Sequence, residues 1–151
     1  DGALAAAGAV DEQQLASMVQ RDYFRATGPK SLDRDDFTSA AVEALSPADG
    51  AATLTAFTAE TVAIALNNLP LPLTRLFVTG GGRHNTTLMA MLAARTGLPV
   101  HPVEALGWNG DALEAEAFGW LAVRHLKGLP LSWPETTGVP VPTPGGRLAR
   151  P

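Results

Sequence analysis

Apolar residues recur at helical spacing in three stretches of the first half of the chain. Leu15, Met18, Val19 and Tyr23 follow Asp11, a good N-cap, which predicts an amphipathic helix from Asp11 to about Phe24. Gly28-Pro29-Lys30-Ser31 breaks that pattern. A shorter helix fits Asp35 to Leu45, with Phe37, Ala41, Ala44 and Leu45 on one face. Ser46-Pro47 marks a restart, with Ser as N-cap, Pro at the first helical position and Asp49 in the first turn. The longest helix then runs to Asn68, with Leu54, Phe57, Thr61, Ile64 and Ala65 as its expected apolar stripe.

Beyond Pro70 and Pro72 the pattern changes. Arg75 to Thr79, with Leu76-Phe77-Val78 at its centre, is a short apolar run that reads as a buried strand. Gly80-Gly81-Gly82 follows at once, then a helix from about Asn85 to Thr96 with Leu88, Met91 and Leu92 inward and Gly97 as its stop. Val100 to Val103 is a second strand and Leu106 to Gly110 a loop. Asp111 and Glu114 have the spacing of a capping box for a helix running to Leu126, which Gly128 closes. The segment from Pro130 onward holds six of the twelve prolines and has no periodicity, so an extended tail is expected over 130–151.

Helices followed by strand–helix–strand–helix make an α/β pattern with a parallel crossover. Two strands alone make a poor parallel sheet, whose faces and edges need cover. The sheet is therefore expected to be incomplete in this chain. The opening Asp1-Gly2-Ala3-Leu4, without Met, reads like the inside of a longer protein. An uncovered strand edge further predicts poor solubility of the chain in isolation.

Composition narrows the classes. Of 151 residues 46% are apolar and 17% charged, a folding composition. The net charge of −4 argues against nucleic acid as partner. With no cysteine, disulfides and thiolate metal sites are excluded. No run approaches the roughly 18 apolar residues of a membrane span, so a cytoplasmic protein without a membrane partner is expected.

The strongest candidate for chemistry is the junction at Gly80, Gly81 and Gly82. Residues without Cβ let a ligand approach the main chain, and the following helix offers free amides to a phosphate. An acidic protein binds ATP in this way, with backbone donors and Mg²⁺ in place of a basic surface. The Gly-Lys-Ser/Thr ending of a P-loop is absent. Asn85 stands where a dinucleotide fingerprint wants glycine, but Glu104 falls where a ribose-binding acid belongs, so a Rossmann-type oxidoreductase domain is the alternative. Glu114 follows a turn at the carboxyl end of the second strand, where open α/β sheets place ligands; Glu116 reads as a helix N-terminal charge. His84, His101 and His125 lack metal-ligand spacing, and no metal site is expected. Lys30 and Ser31 read as a solvated loop, Trp108 as a base-stacking or core-covering loop residue, and Trp120 as core.

The segment Phe77-Val78-Thr79-Gly80-Gly81-Gly82-Arg83-His84-Asn85, with Leu88-Met89, resembles the glycine signature of the anhydro-N-acetylmuramic acid kinases. Gly110-Asp111-Ala112-Leu113-Glu114-Ala115 and Phe118-Gly119-Trp120-Leu121-Ala122 are similar to a second signature of that family. Leu129-Pro130, Pro134 and Thr137-Gly138 resemble its C-terminal end. Asp1 to Ala5, Pro29-Lys30-Ser31 with Arg34 and Phe37, and Ala48-Asp49 with Ala51 to Leu54 match in order.

The resemblance implies the sugar kinase, Hsp70 and actin superfamily, with two ribonuclease H-like domains closing on ATP and Mg²⁺. Such enzymes open the 1,6-anhydro ring of anhydro-N-acetylmuramic acid with water and phosphorylate its 6-oxygen, a step in cell-wall recycling. It implies that Gly80, Gly81, Gly82 and Asn85 hold the nucleotide and that Glu114 orients the sugar. Leu32-Asp33 departs from the family's Thr-Gly, and Gly119 from its Ala. The family's first phosphate loop and its catalytic aspartate segment have no counterpart here. The expectation is thus a C-terminal portion, 1–129 a half-domain and 130–151 its tail, without a catalytic residue of its own. Its expected partners are ATP, the sugar and the N-terminal domain of the same protein, with a homodimer compatible.

Overall fold

A computed structural model describes residues 1–33 and 36–149. Arg34 and Asp35, the latter the expected start of the second helix, lie outside the described residues. The described part is α/β: seven α-helices and one two-stranded parallel sheet.

Three short helices open the chain: α1 (Ala3–Ala6), α2 (Glu12–Met18) and α3 (Asp22–Arg25). Asp11 caps α2 as expected, its carboxylate accepting from the Gln14 amide. The helix does not run on to Phe24, however. Arg21 turns extended and separates α2 from α3. Its guanidinium bonds the Asp36 carbonyl and lies 5.1 Å from the Phe37 ring centroid. The break turns Phe24 into an aromatic cluster with Phe37 and Phe57. Tertiary contact has overridden local periodicity there.

The helix expected over Asp35 to Leu45 is a correction. The described part of that stretch forms no α-helix; Ala40–Val42 is a 3-10 turn, and Val42 instead of Ala44 is its buried residue. The Thr38 hydroxyl accepts from the Ala40 amide, a local bond that competes with helix.

The longest helix, α4 (Pro47–Asn67), starts as expected, with Ser46 accepting from the Asp49 amide and Pro47 in the first turn. Its expected stripe holds only in part: Phe57 packs into the aromatic cluster and Thr61 and Ile64 are half-buried, but the fully buried face is a different one. Ala52, Ala56, Ala59 and Ala63 are buried, whereas Leu54 is exposed. Small side chains let α4 pack closely on α5 (Thr86–Thr96) and α1, its two most extensive neighbours. Further bonds tie the start of the chain to this pair: Ala9 N–H to Asp49, Asp11 N–H to Thr53, and Thr87 Oγ1 to the Gly2 carbonyl.

Strands β1 (Leu76–Val78) and β2 (Val100–Pro102) flank α5 in sequence and pair in parallel, Leu76 opposite Val100 and Val78 opposite Pro102. The strand–helix–strand order is as expected. The expected burial of β1 is not: its three residues are half-buried, since a two-stranded sheet covers neither face fully.

Helix α6 (Leu113–Leu126) brings the largest correction. It has no buried residue; Trp120 is 52% and Phe118 65% exposed, so Trp120 is not core. The tail follows α6 back. Arg124 donates to the Pro130 carbonyl and sits over the rings of Trp120 and Trp133. The tail is mostly extended, interrupted by α7 (Pro134–Thr137) and by one bridge between Ser132 and Thr143. Among the described residues no helix is long and apolar enough to cross a membrane.

Candidate functional site

Where β1 ends, Gly80 takes φ 72° and ψ −178°, a conformation that in practice only glycine adopts. The chain then makes a 3-10 turn, Gly81–His84, before entering α5. A Cβ added at Gly80 or at Gly81 would meet open space. Among the described residues the amides of Gly81 and Gly82 have no backbone carbonyl partner, and both residues are exposed, which leaves these donors open to a ligand. These are the features that a close-approaching anion requires.

The second wall comes from the turn after β2. A 3-10 turn, Val103–Leu106, and the following loop lead to Gly110 and into α6. Asp111 does not cap α6: the helix starts from Ala112 with no side-chain cap bond, and the expected capping box is absent. The Asp111 carboxylate has been drawn away to Arg83, at 2.8 Å. Asn109 supplies the turn instead, its carbonyl accepting from the Ala112 and Leu113 amides.

Between the walls lies an open cleft of about 490 Å³. Thr79, Gly80 and Gly81 line one side; Gly110, Asp111, Leu113, Glu114 and Ala117 line the other. The structure thus brings Gly80 and Gly81 together with Glu114 across one space. Glu114 is exposed and has no hydrogen bond or ion pair to another described residue, leaving its carboxylate available to a ligand. Glu116 is likewise exposed, but does not line the cleft.

Asn85 and Gly82 adjoin the turn but are not among the residues that line the cleft. The Asn85 side chain accepts from the Leu88 amide at 2.9 Å and caps α5. Gly82 packs against Leu88. Lys30 is remote in role: it donates to the carbonyls of Tyr23 and Ala26 and covers the Tyr23 ring, closing α3. Trp108 is exposed and covers no core.

Arg83 was not singled out by sequence reasoning beyond its place in the glycine signature. Its side chain is 3% exposed, and its guanidinium donates to Glu104 Oε1 at 2.8 Å, to the Gly80 carbonyl at 2.9 Å and to Asp111. Glu104 also accepts from the Gly110 amide, and Thr79 Oγ1 donates to the Gly110 carbonyl. The Arg83 bond, first, and its charge hold Asp111 below the usual carboxylate range. Glu104 is lowered by its own backbone amide and, against a desolvation penalty, by Arg83 and the Gly110 amide. The signal available in sequence was an arginine directly after three glycines, where a cation has main-chain carbonyls within reach.

The donors at the glycine turn suit an anion and not a cation. Free amides and a glycine cradle open to solvent suit phosphate. Among the described residues no group of three or more His, Asp or Glu is placed to hold a metal ion, so magnesium is assigned no ligand here.

Comparison with known proteins agrees with these signatures. A family model described as anhydro-N-acetylmuramic acid kinase matches residues 1–148. The chain is 60% identical over 150 residues to an anhydro-N-acetylmuramic acid kinase of Rhizorhabdus wittichii, covering 99% of this chain and 41% of the relative. Proteins of the same name from Acidiphilium cryptum and Mesorhizobium japonicum are 58% and 56% identical, covering 100% and 99% of this chain and 42% and 40% of their own. The chain spans about two fifths of the length of the curated relatives it matches.

Proposed function

Because the chain belongs to the anhydro-N-acetylmuramic acid kinase family, we propose that it forms the C-terminal portion of an ATP-dependent sugar kinase. In this reading it supplies a nucleotide-side wall and part of the sugar pocket. The observation that carries it is the single cleft lined by Gly80 and Gly81 on one side and Glu114 on the other.

The residues act by binding and orientation. The free amides of Gly81 and Gly82 receive phosphate oxygens, favoured by the helix that follows. Glu114 accepts hydrogen bonds from sugar hydroxyls and fixes the sugar for attack, a positioning role. ATP, when bound, supplies the phosphoryl group for the 6-oxygen of anhydro-N-acetylmuramic acid as water opens the 1,6-anhydro ring. The base that activates this water and the clamp on the transferred phosphoryl group are assigned to polypeptide outside this chain. The ribonuclease H-like fold, with further strands beside β1 and β2, belongs to the same proposal, as does a cytoplasmic site of action.

The dinucleotide-binding alternative required Glu104 for a ribose. That carboxylate is already committed to Arg83 and Gly110, which favours the kinase.

The test is phosphorylation of anhydro-N-acetylmuramic acid by the complete polypeptide and by residues 1–151. The complete protein is expected to turn over and the shorter chain not to. Glu114→Ala in the complete protein is expected to raise the sugar KM at least about tenfold while leaving the ATP KM nearly unchanged. Turnover by residues 1–151 alone, or tighter binding of NAD than of ATP, would overturn the reading.

A further inference from the structure

The contacts proposed for sugar and nucleotide leave Arg83 without a task. Among the described residues it is the one buried charged residue, at 7% exposure. A buried cation is a poor device for stability alone, because a well-packed apolar side chain does as well or better. What distinguishes Arg83 is where its bonds end.

They end on three segments that meet at the cleft. Nη1 holds the Gly80 carbonyl at the exit of β1. Nε holds Glu104 in the turn after β2, and through it the Gly110 amide. Nη2 holds Asp111 at the entry to α6. A guanidinium is planar and rigid, so three acceptors bound to it stand at fixed separations from one another. Gly110 is pressed so closely against the Arg83 side chain that a Cβ there would collide with it. The two loops are thereby locked in one arrangement.

We propose that Arg83 is a positioning residue that sets the gap between the Gly80–Gly82 turn and the start of α6, and so the alignment of Glu114 with the nucleotide wall. The identity of the ligands rests on the kinase reading; the clamp itself does not.

The test uses the complete kinase as wild type, Arg83→Met, Arg83→Lys and Glu104→Gln, assayed at a temperature where circular dichroism shows all four folded. Amide hydrogen exchange is followed over residues 80–85 and 107–114, together with kcat and the KM for each substrate. Arg83→Met is expected to loosen both segments together and to raise the sugar KM by about tenfold or more. Arg83→Lys, which keeps the charge but not the fork, is expected to recover part of the loss. Glu104→Gln is expected to change both readouts in the same direction but less. Should Arg83→Met fail to fold, the other two variants carry the comparison. A merely structural arginine would lower the amount of active enzyme and leave the KM within about twofold. That result, or loosening confined to the glycine turn, overturns the proposal. Wild-type enzyme that bound neither ATP nor the sugar would sink the kinase reading, and the exchange comparison would still decide the clamp.

Discussion

Arg83 and Asp111 are 28 positions apart in sequence, yet the guanidinium of one lies 2.8 Å from the carboxylate of the other, joining the glycine turn to the first residues before α6. The bond explains why α6 lacks its expected side-chain cap: Asp111 is used across the cleft instead of within its own helix.

The pair makes the site sensitive to acid. Asp111 and Glu104 both have pKa values lowered in the folded state. Their stabilising contribution is therefore complete above the ordinary carboxylate range and lost as pH falls through and below it. Thermal melting of the chain is expected to show a lower midpoint below about pH 4, and Asp111→Asn is expected to flatten that dependence. An unchanged profile in Asp111→Asn would refute the assignment.

Adjacent glycines of the turn are expected to respond differently. Gly80→Ala forces a side chain into a glycine-only conformation and should destabilise the chain by roughly 1–3 kcal/mol. A Cβ at Gly81 meets no protein atom within 4 Å, so Gly81→Val should leave the melting temperature nearly unchanged. In the complete kinase it should nevertheless weaken ATP binding, read by titration calorimetry, because its side chain occupies the ligand's approach. Equal effects of both substitutions on stability would contradict the geometry.

Asn85→Ala should cost about 1 kcal/mol through loss of the α5 cap. Chemical denaturation measures this, and Asn85→Asp or Asn85→Ser is expected to restore most of it. A fall in ATP affinity without any loss of stability would instead mean that Asn85 contacts the nucleotide directly.

The seam of α4 should resist enlargement. Ala56 and Ala59 are fully buried, and Ala56→Leu is expected to destabilise by about 1–3 kcal/mol through overpacking. Ala65→Leu, the same enlargement at an exposed position of the same helix, should be nearly silent. Urea midpoints of the two variants check the contrast.

Much of this architecture was legible in the residues. Ser46-Pro47 and Asp11 announced their helices because capping is local chemistry, and the apolar run at Leu76-Phe77-Val78 before three glycines placed both β1 and the turn. Gly80, Gly81 and Glu114 are expected near a ligand because such turns carry recognisable residue types, and the structure sets all three around one cleft. What stayed hidden depends on distant partners. The break at Arg21 is set by Phe37 and Asp36, and the missing cap at Asp111 by Arg83. The inward face of α4 is hidden from a reading by side-chain size, because the buried positions are held by alanines. Trp120 escapes the pattern because a helix rich in apolar residues implies a cover, whereas Arg124 lies over its ring and half of the residue stays exposed.

The alanine seam has a mechanical consequence. Alanine has no rotamer to switch, so the buried face of α4 (Ala52, Ala56, Ala59 and Ala63) has no side-chain rearrangement of its own with which to absorb a shift of a neighbouring helix. The glycine turn leads directly into α5, whose most extensive contact is with the 21-residue α4, so a displacement of the bend carries both helices with it. Any closing movement of the cleft would first have to release the bonds of Arg83 to Glu104 and Asp111.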